Sequence, residues 1–215
     1  MVEVSFSKVH DRHLEISKLV GRGTLNALLD NKGLLAQRNG NNIIRVYITF
    51  RAPENWITES GVDFNQTERA RTHFLQLFSD WDEKLLDFVH LCDDNFIPRL
   101  LYVLPDDHQW ETKPGVTLLG DAAHLMSPFA GEGVNLAMLD ATELALAITG
   151  SGERTKAIHE YEQKMFSRAS EFARESASNL DLFISEGNSA GNVANLFKMM
   201  MAGGPPDDAT ASAVE

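Results

Sequence analysis

The sequence predicts an α/β fold, and three observations predict it. Short runs of β-branched and aromatic residues, separated by Asn/Gly clusters, fill the first third of the chain. A nearly continuous apolar run, Val116-Thr117-Leu118-Leu119, stops abruptly at Gly120-Asp121, as a strand buried on both faces of a parallel sheet would. From Gly133 onward the apolar spacing changes to the helical period.

Taken in order, Gly23–Leu29, Gly33–Gln37 and Ile43–Phe50 read as strands, and the clusters Asp30-Asn31-Lys32-Gly33 and Asn39-Gly40-Asn41-Asn42 read as hairpin turns between them. In Ile43–Phe50 the alternation puts Ile44, Val46, Ile48 and Phe50 on one face, the core, and Arg45, Tyr47 and Thr49 on the other, which could line a polar cavity. Gln66–Ser79 and Asp82–Leu91 carry apolar residues at helical spacing. Phe96–Leu104 reads as a strand interrupted at Pro98. The strand Val116–Leu119 is followed by a glycine-containing loop, and a helix from about Gly133 to Thr149, apolar nearly all round, ends at Gly150. A longer amphipathic helix runs from about Glu153 towards Ser185, with Ile158, Tyr161, Met165, Phe166, Ala169 and Phe172 on one face.

Composition narrows the function. The 215 residues carry 19 Lys and Arg against 31 Asp and Glu, a net charge of -12 that repels a polyanion, so nucleic-acid binding is disfavoured. One cysteine, Cys92, excludes an intrachain disulfide and any Cys-rich zinc site, and fits a reducing, cytoplasmic compartment. The most apolar stretch, Val134–Ile148, is broken by Asp140 and Glu143 and is shorter than the roughly 20 residues of a membrane span, so no membrane role is expected.

The chemistry concentrates in Gly120-Asp121-Ala122-Ala123-His124-Leu125-Met126-Ser127-Pro128-Phe129-Ala130-Gly131-Glu132-Gly133-Val134-Asn135. A strand delivers Asp121 at its carboxyl end, where open α/β sheets bind ligands. Gly131 and Gly133 allow close approach just before a helix whose free N–H groups and positive dipole end favour negative charge. An anionic or polarised ligand with sugar-like hydroxyls suits such a set. The alternative is that these glycines merely make a tight strand-to-helix connection and Asp121 caps a turn.

The whole segment resembles the second FAD-binding motif, GDAAHxxxPxxGxGxN, of the aromatic-hydroxylase-like flavoprotein monooxygenases. Phe50-Arg51-Ala52-Pro53-Glu54-Asn55-Trp56, Phe78-Ser79-Asp80-Trp81-Asp82-Glu83 and Tyr161-Glu162-Gln163 with Met165-Phe166 are similar to stretches in the tetracycline-inactivating branch of that family. The resemblance implies that Asp121 hydrogen-bonds a ribitol hydroxyl of FAD, that Gly120 lets the cofactor approach, that Pro128 lies beside the isoalloxazine, and that the backbone of Gly131, Gly133, Val134 and Asn135 faces its pyrimidine edge. His124 would be a structural partner of this loop. It further implies residues 1–105 as a substrate-binding sheet with helices and 106–186 as the carboxyl-terminal part of a Rossmann-like FAD domain with a long helix; 187–215, rich in Ser, Asn, Gly and Pro apart from Leu196–Met201, reads as a flexible tail. Gln37, Arg45, Tyr47 and Phe129 are then the candidate contacts to a small organic substrate.

Enzymes of this family use NAD(P)H to reduce FAD and O2 to form a flavin C4a-hydroperoxide that hydroxylates the substrate, the cofactor carrying the hard chemistry. They also carry a GxGxxG turn for the ADP half of FAD, with an acidic residue about 20 residues on. The triplets here, Gly21-Arg22-Gly23 and Gly131-Glu132-Gly133, lack the third glycine at that spacing. By resemblance the chain is therefore expected to be the carboxyl half of such an enzyme, either with the ADP-binding half supplied by a separate chain or as a truncated product of a gene whose complete form is the enzyme. The alternatives are a non-catalytic remnant or interaction module that does not hold FAD, and a metal hydrolase built on His10, Asp11 and His13, which lacks a recognised ligand spacing.

Overall fold

The computed structural model describes residues 1–150 and 152–202. Its elements run β1 (Val2–Phe6), α1 (Val9–Arg12), α2 (Leu14–Val20), β2 (Thr24–Leu29), β3 (Lys32–Asn39), β4 (Ile43–Phe50), α3 (Trp56–Glu59), α4 (Thr67–Leu77), α5 (Glu83–His90), β5 (Ile97–Pro98), α6 (Asp121–His124), a 3-10 turn (Pro128–Ala130), α7 (Gly133–Thr149), α8 (Arg154–Phe183) and α9 (Ser189–Met201). They group into two units, one of residues 1–100 with those from Leu182 onward, the other Leu101–Asp181.

The first unit is an antiparallel sheet of order β2-β3-β4-β1-β5. Its hairpins close where the Asn clusters predict. Asp30 and Asn31 take φ of 47° and 60°, and Asn41 and Asn42 take 58° and 59°, the left-handed values that let a short loop match strand twist. Gly33 is required by close approach, since a Cβ there would lie 2.7 Å from both Leu28 Cδ2 and Thr49 Oγ1. The pleat buries Ile44, Val46 and Ile48 of β4 and Val2, Val4 and Phe6 of β1, in the register Val4 opposite Val46. Against that face pack Phe74 and Phe78 at α4 and its end, Phe88 and Val89 from α5, and Phe96. Each fully buried aromatic contributes about 1.5–3 kcal/mol. Phe74 and Phe96 stack at 5.8 Å and 8°.

Polar groups finish this unit. Asp82 caps α5 by accepting from the Lys84 amide at 2.9 Å. Arg71 serves the other end of α5, donating to the carbonyls of Val89, His90 and Cys92 and to Asp94 Oδ1. The turn between β2 and β3 grips the chain far downstream: the Asn31 amide donates to Ser185 O at 2.7 Å, and Asp30 Oδ1 accepts from the Gly187 amide at 2.8 Å. Ser189–Met201, placed by sequence in the flexible tail 187–215, is instead helix α9, begun by Asn188 accepting from the Gly191 amide at 3.0 Å; the rest of that tail, from residue 203, lies outside the described residues.

The second unit is helical. α8 presents Tyr161, Met165 and Phe166 to Ala123, with Trp110, Leu144 and Ala147 packed around them. Glu162, fully buried on α8, accepts from Trp110 Nε1 at 2.9 Å, Thr117 Oγ1 at 2.7 Å and Thr112 Oγ1. Thr112 Oγ1 gives its hydrogen to Glu162, so it accepts from His159 Nδ1, 2.8 Å away. The Tyr161 hydroxyl donates to Leu118 O at 3.1 Å, and burial pushes its pKa up. These bonds fasten residues 110–118 along α8.

Two expected strands change. Val116–Leu119 forms no ladder; its one bridge is Val116 to Lys113, and Val116, Leu118 and Leu119 are exposed. The apolar pattern is strand-like, but a ladder needs a neighbour with free N–H and C=O groups, and none lies beside it among the described residues. The sheet is accordingly antiparallel throughout, and the parallel strand-helix unit expected around Gly120-Asp121 is not formed. Phe96–Leu104 pairs with β1 only at Ile97 and Pro98, with one further bond from the Arg99 amide to Met1 O at 2.8 Å.

Candidate functional site

The site is built around a buried carboxylate. Asp140, on α7 and fully buried, accepts on Oδ2 from the Gly120 amide at 3.1 Å and from His124 Nε2 at 2.5 Å. Its Oδ1 accepts from Arg168 Nη2 of α8 at 2.9 Å, and Arg168 also reaches Glu143 at 2.9 Å. Gly120 takes φ 59°, ψ -143°, and a Cβ there would meet Ala137 Cβ of α7 at 3.1 Å. Only glycine suits both the conformation and the space. The one-turn helix α6 then starts with Asp121, which is exposed, while Ala123 and His124 at its end are buried.

The following loop is held by its backbone and left open in front. Ser127 and Ser176 are buried and share a hydroxyl–hydroxyl bond of 2.6 Å, with Ser176 Oγ also donating to Ser127 O at 2.5 Å. Asn179 Nδ2 donates to Phe129 O at 3.2 Å. Pro128 opens the 3-10 turn, Gly131 closes it at φ 74°, and nothing lies within 4 Å of where a Cβ on Gly131 or Gly133 would sit. α7 begins here, 17 residues long, with no side chain capping its N-terminus. Val134 is 73% exposed, Asn135 is exposed, and the Asn135 amide group bonds Glu132 Oε2 at 3.0 Å. The result is one segment that carries an exposed carboxylate, an uncapped helix start and open space at two glycines. Such a donor set suits a ligand that offers hydroxyls to Asp121 and a polarised, electron-rich edge to the helix N–H groups.

The candidate substrate residues divide between the units. Gln37 pairs with Arg45 across β3 and β4, and Tyr47 stands two residues further along β4, opposite Leu35 and Glu3. The three therefore share one sheet face, with Gln37 exposed and Arg45 and Tyr47 half-buried. Arg45 Nε lies 2.9 Å from Glu3 Oε1; a hydrogen bond that it donates to Tyr47 and the Glu3 charge both raise its pKa. Thr49, expected on that polar face, is buried and donates to Gly33 O at 3.0 Å. Phe129 belongs to the helical unit.

The metal alternative finds no ligand set: among the described residues no group of three or more His, Cys, Asp or Glu could hold an ion. His10 is engaged otherwise, with Arg38 Nη1 3.3 Å from Nε2 and Ser17 Oγ 3.0 Å from Nδ1. Arg38 has only donors, so His10 is protonated at Nδ1 and donates to Ser17. No helix among the described residues is long and apolar enough to cross a membrane.

Sequence reasoning missed Asp140 and Arg168 as parts of the site. The signal was present, because Asp140 interrupts an apolar helix, and a buried carboxylate implies a partner.

The FAD binding domain family matches residues 109–176, which contain the Gly120–Asn135 loop, Asp140 and Arg168. The chain is 25% identical to monooxygenase asqM of Emericella nidulans over 89% of its own length and 54% of that protein. Among solved structures, Klebsiella pneumoniae HpxO complexed with FAD and uric acid matches at TM-score 0.62 and 15% identity, covering 94% of this chain and 48% of that one. Tetracycline destructase Tet(55) matches at TM-score 0.60 and 16% identity, covering 94% and 50%. At such identities the structures speak to the fold alone. The chain spans about half the length of these proteins, and over that half it is similar to FAD-dependent monooxygenases, with a match to the FAD binding domain family that includes the Gly120–Asn135 loop.

Proposed function

We propose that the chain provides the flavin-facing half of an FAD-dependent monooxygenase. The observation that carries this reading is the Gly120-Asp121 turn fastened to α7 at Ala137 and Asp140, together with the uncapped start of that helix and the open space at Gly131 and Gly133. Asp121 would accept from a ribitol hydroxyl, and Gly120 leaves the backbone bare for the cofactor. N–H groups of Gly133, Val134 and Asn135 would face the flavin edge that becomes negative on reduction, with Pro128 beside the rings. FAD, when bound, supplies the redox chemistry: electrons from NAD(P)H and one oxygen atom of O2 convert a substrate C–H to C–OH, the second oxygen leaving as water.

The protein's part is to orient the substrate and exclude water. On the helical unit Phe129 would offer an apolar contact to an organic substrate, and on the sheet unit Gln37, Arg45 and Tyr47 would offer polar ones. The ADP half of FAD calls for a further segment, which we assign to a separate chain or to the remainder of a longer one. Val116, Leu118, Leu119, Val134, Met138 and Leu146 are all exposed, and a patch of this kind needs a cover. The exposed carboxylate of Asp121 and the unfilled space at Gly131 and Gly133 favour this reading over a non-catalytic remnant.

The test is a fluorescence titration of the full chain with FAD, followed by desalting and a search for flavin bands near about 375 and 450 nm. Saturable binding, weakened at least about tenfold by Asp121→Ala, is expected from the loss of a hydrogen bond to the ribitol. Equal affinity in the variant would remove Asp121 from the site, and no saturable binding would overturn the reading.

A further inference from the structure

We propose that Asp140 is the positioning residue of this site: its carboxylate fixes the Gly120-Asp121 turn against α7 and so sets where Asp121 stands relative to the helix start. The proposal rests on the flavin reading above for what is positioned, and on the hydrogen bonds alone for how. Asp140 is the eighth residue of α7, so it sits about 10 Å along the axis from Gly133. The two donors to Oδ2, the Gly120 amide and His124 Nε2, come from the residue before Asp121 and the residue three after it. One oxygen atom thus holds both ends of α6, and the helix that carries this oxygen also carries the N–H groups at the other side of the site.

Stability alone does not call for a carboxylate here. α7 is apolar, and a well-packed aliphatic residue at a buried position is commonly as stable as a buried ion pair. An aliphatic residue would leave the Gly120 amide and His124 Nε2 without an acceptor, and the turn would be free to move. Arg168 completes the device. It pairs with Oδ1 from α8 and shares its charge with Glu143, which leaves Oδ2 to the turn. His124 has its Nδ1 buried without a partner, which leaves Nε2 as the ring's single hydrogen-bonding contact in the structure. Its role is therefore to donate to Asp140.

The test compares the full chain with Asp140→Asn by amide hydrogen exchange and by FAD titration. Asparagine keeps the shape but offers one acceptor oxygen where two are used. The expected result is at least about tenfold faster exchange at Gly120 and at least about tenfold weaker FAD binding, with unchanged protection around Tyr161–Met165 of α8. Unchanged exchange at Gly120, uniform acceleration through the helical unit, or full FAD affinity with an unprotected Gly120 would each overturn the proposal. Where Asp140→Asn does not fold, His124→Ala carries the same comparison, because it removes one donor and leaves the Arg168 pair intact. A parent chain that takes up no FAD overturns the flavin reading, and the exchange pattern then decides the clamp by itself.

Discussion

The two units of this chain solve the problem of burial differently. The sheet unit closes its own core: Phe6, Phe74, Phe78 and Phe88 are fully buried against a face of Val and Ile, and its polar loose ends are taken up by Arg71, Asp82 and Asp30. The helical unit buries few large side chains, chiefly Tyr161, Met165 and Phe166, and relies on the buried carboxylates Asp140 and Glu162. Its most apolar helix, α7, leaves Val134, Met138 and Leu146 more than 60% exposed. The difference teaches where specificity and where stability reside. The sheet is a scaffold held by non-directional burial, while the helical unit is held by directional bonds that fix a loop and leave one surface to be covered.

The largest effect that would break this contrast is in the scaffold. Phe74→Ala should cost about 3–5 kcal/mol, read as a lowered denaturant midpoint of the sheet unit. A cost below about 1 kcal/mol would show that the aromatic core is not what holds it. Next comes Glu162→Ala, which strips Trp110, Thr112 and Thr117 of their shared acceptor. About 2–3 kcal/mol is expected, with faster exchange in residues 110–118, and a neutral variant would mean water replaces the carboxylate at little cost.

A smaller effect is set by pH. Burial, only partly offset by Arg71, pushes the Cys92 thiol up to about 11 from 9.0. A raised folded-state pKa means that the folded form holds the proton more tightly. The associated stability is therefore fully present below about pH 9 and is lost as pH rises towards about 11. Thiol labelling should accordingly be slow at pH 8 in the folded chain and fast on denaturation, and rapid labelling of folded protein would contradict the burial. Smallest is Leu146→Glu on the exposed face of α7. It should change stability by under about 0.5 kcal/mol while reducing self-association in sedimentation velocity. A large destabilisation would show that this face is already covered.

What the sequence disclosed follows from the range of each interaction. The hairpins around Asp30-Asn31 and Asn41-Asn42 and the alternation in Ile43–Phe50 are local, and they appear as read. So do α7, found at Gly133–Thr149, and the face of α8 that carries Tyr161, Met165 and Phe166. The motif loop disclosed its glycines and Asp121 for the same reason. Asp140 was hidden because its donors lie 16 to 28 positions away, on a turn and on a second helix. Val116–Leu119 misled in the opposite direction: its pattern records burial between strands, but pattern alone does not provide a neighbour. Residues 189–201 looked like tail from their Ser, Asn and Gly, yet those residues start the helix through the Asn188 cap.

The grip of Asp30 on Gly187 has a kinetic consequence. It joins positions 157 apart, so the sheet unit is discontinuous along the chain and the entire helical unit is an insertion within it. On a ribosome the β2–β3 hairpin emerges early, but its turn gains its last partners only after residue 187 has been made. The helical unit, continuous and rich in local contacts, has all of its residues available sooner. Synthesis therefore supplies Asn179, the last residue that holds the Gly120–Asn135 loop, before Gly187, which closes on the hairpin turn.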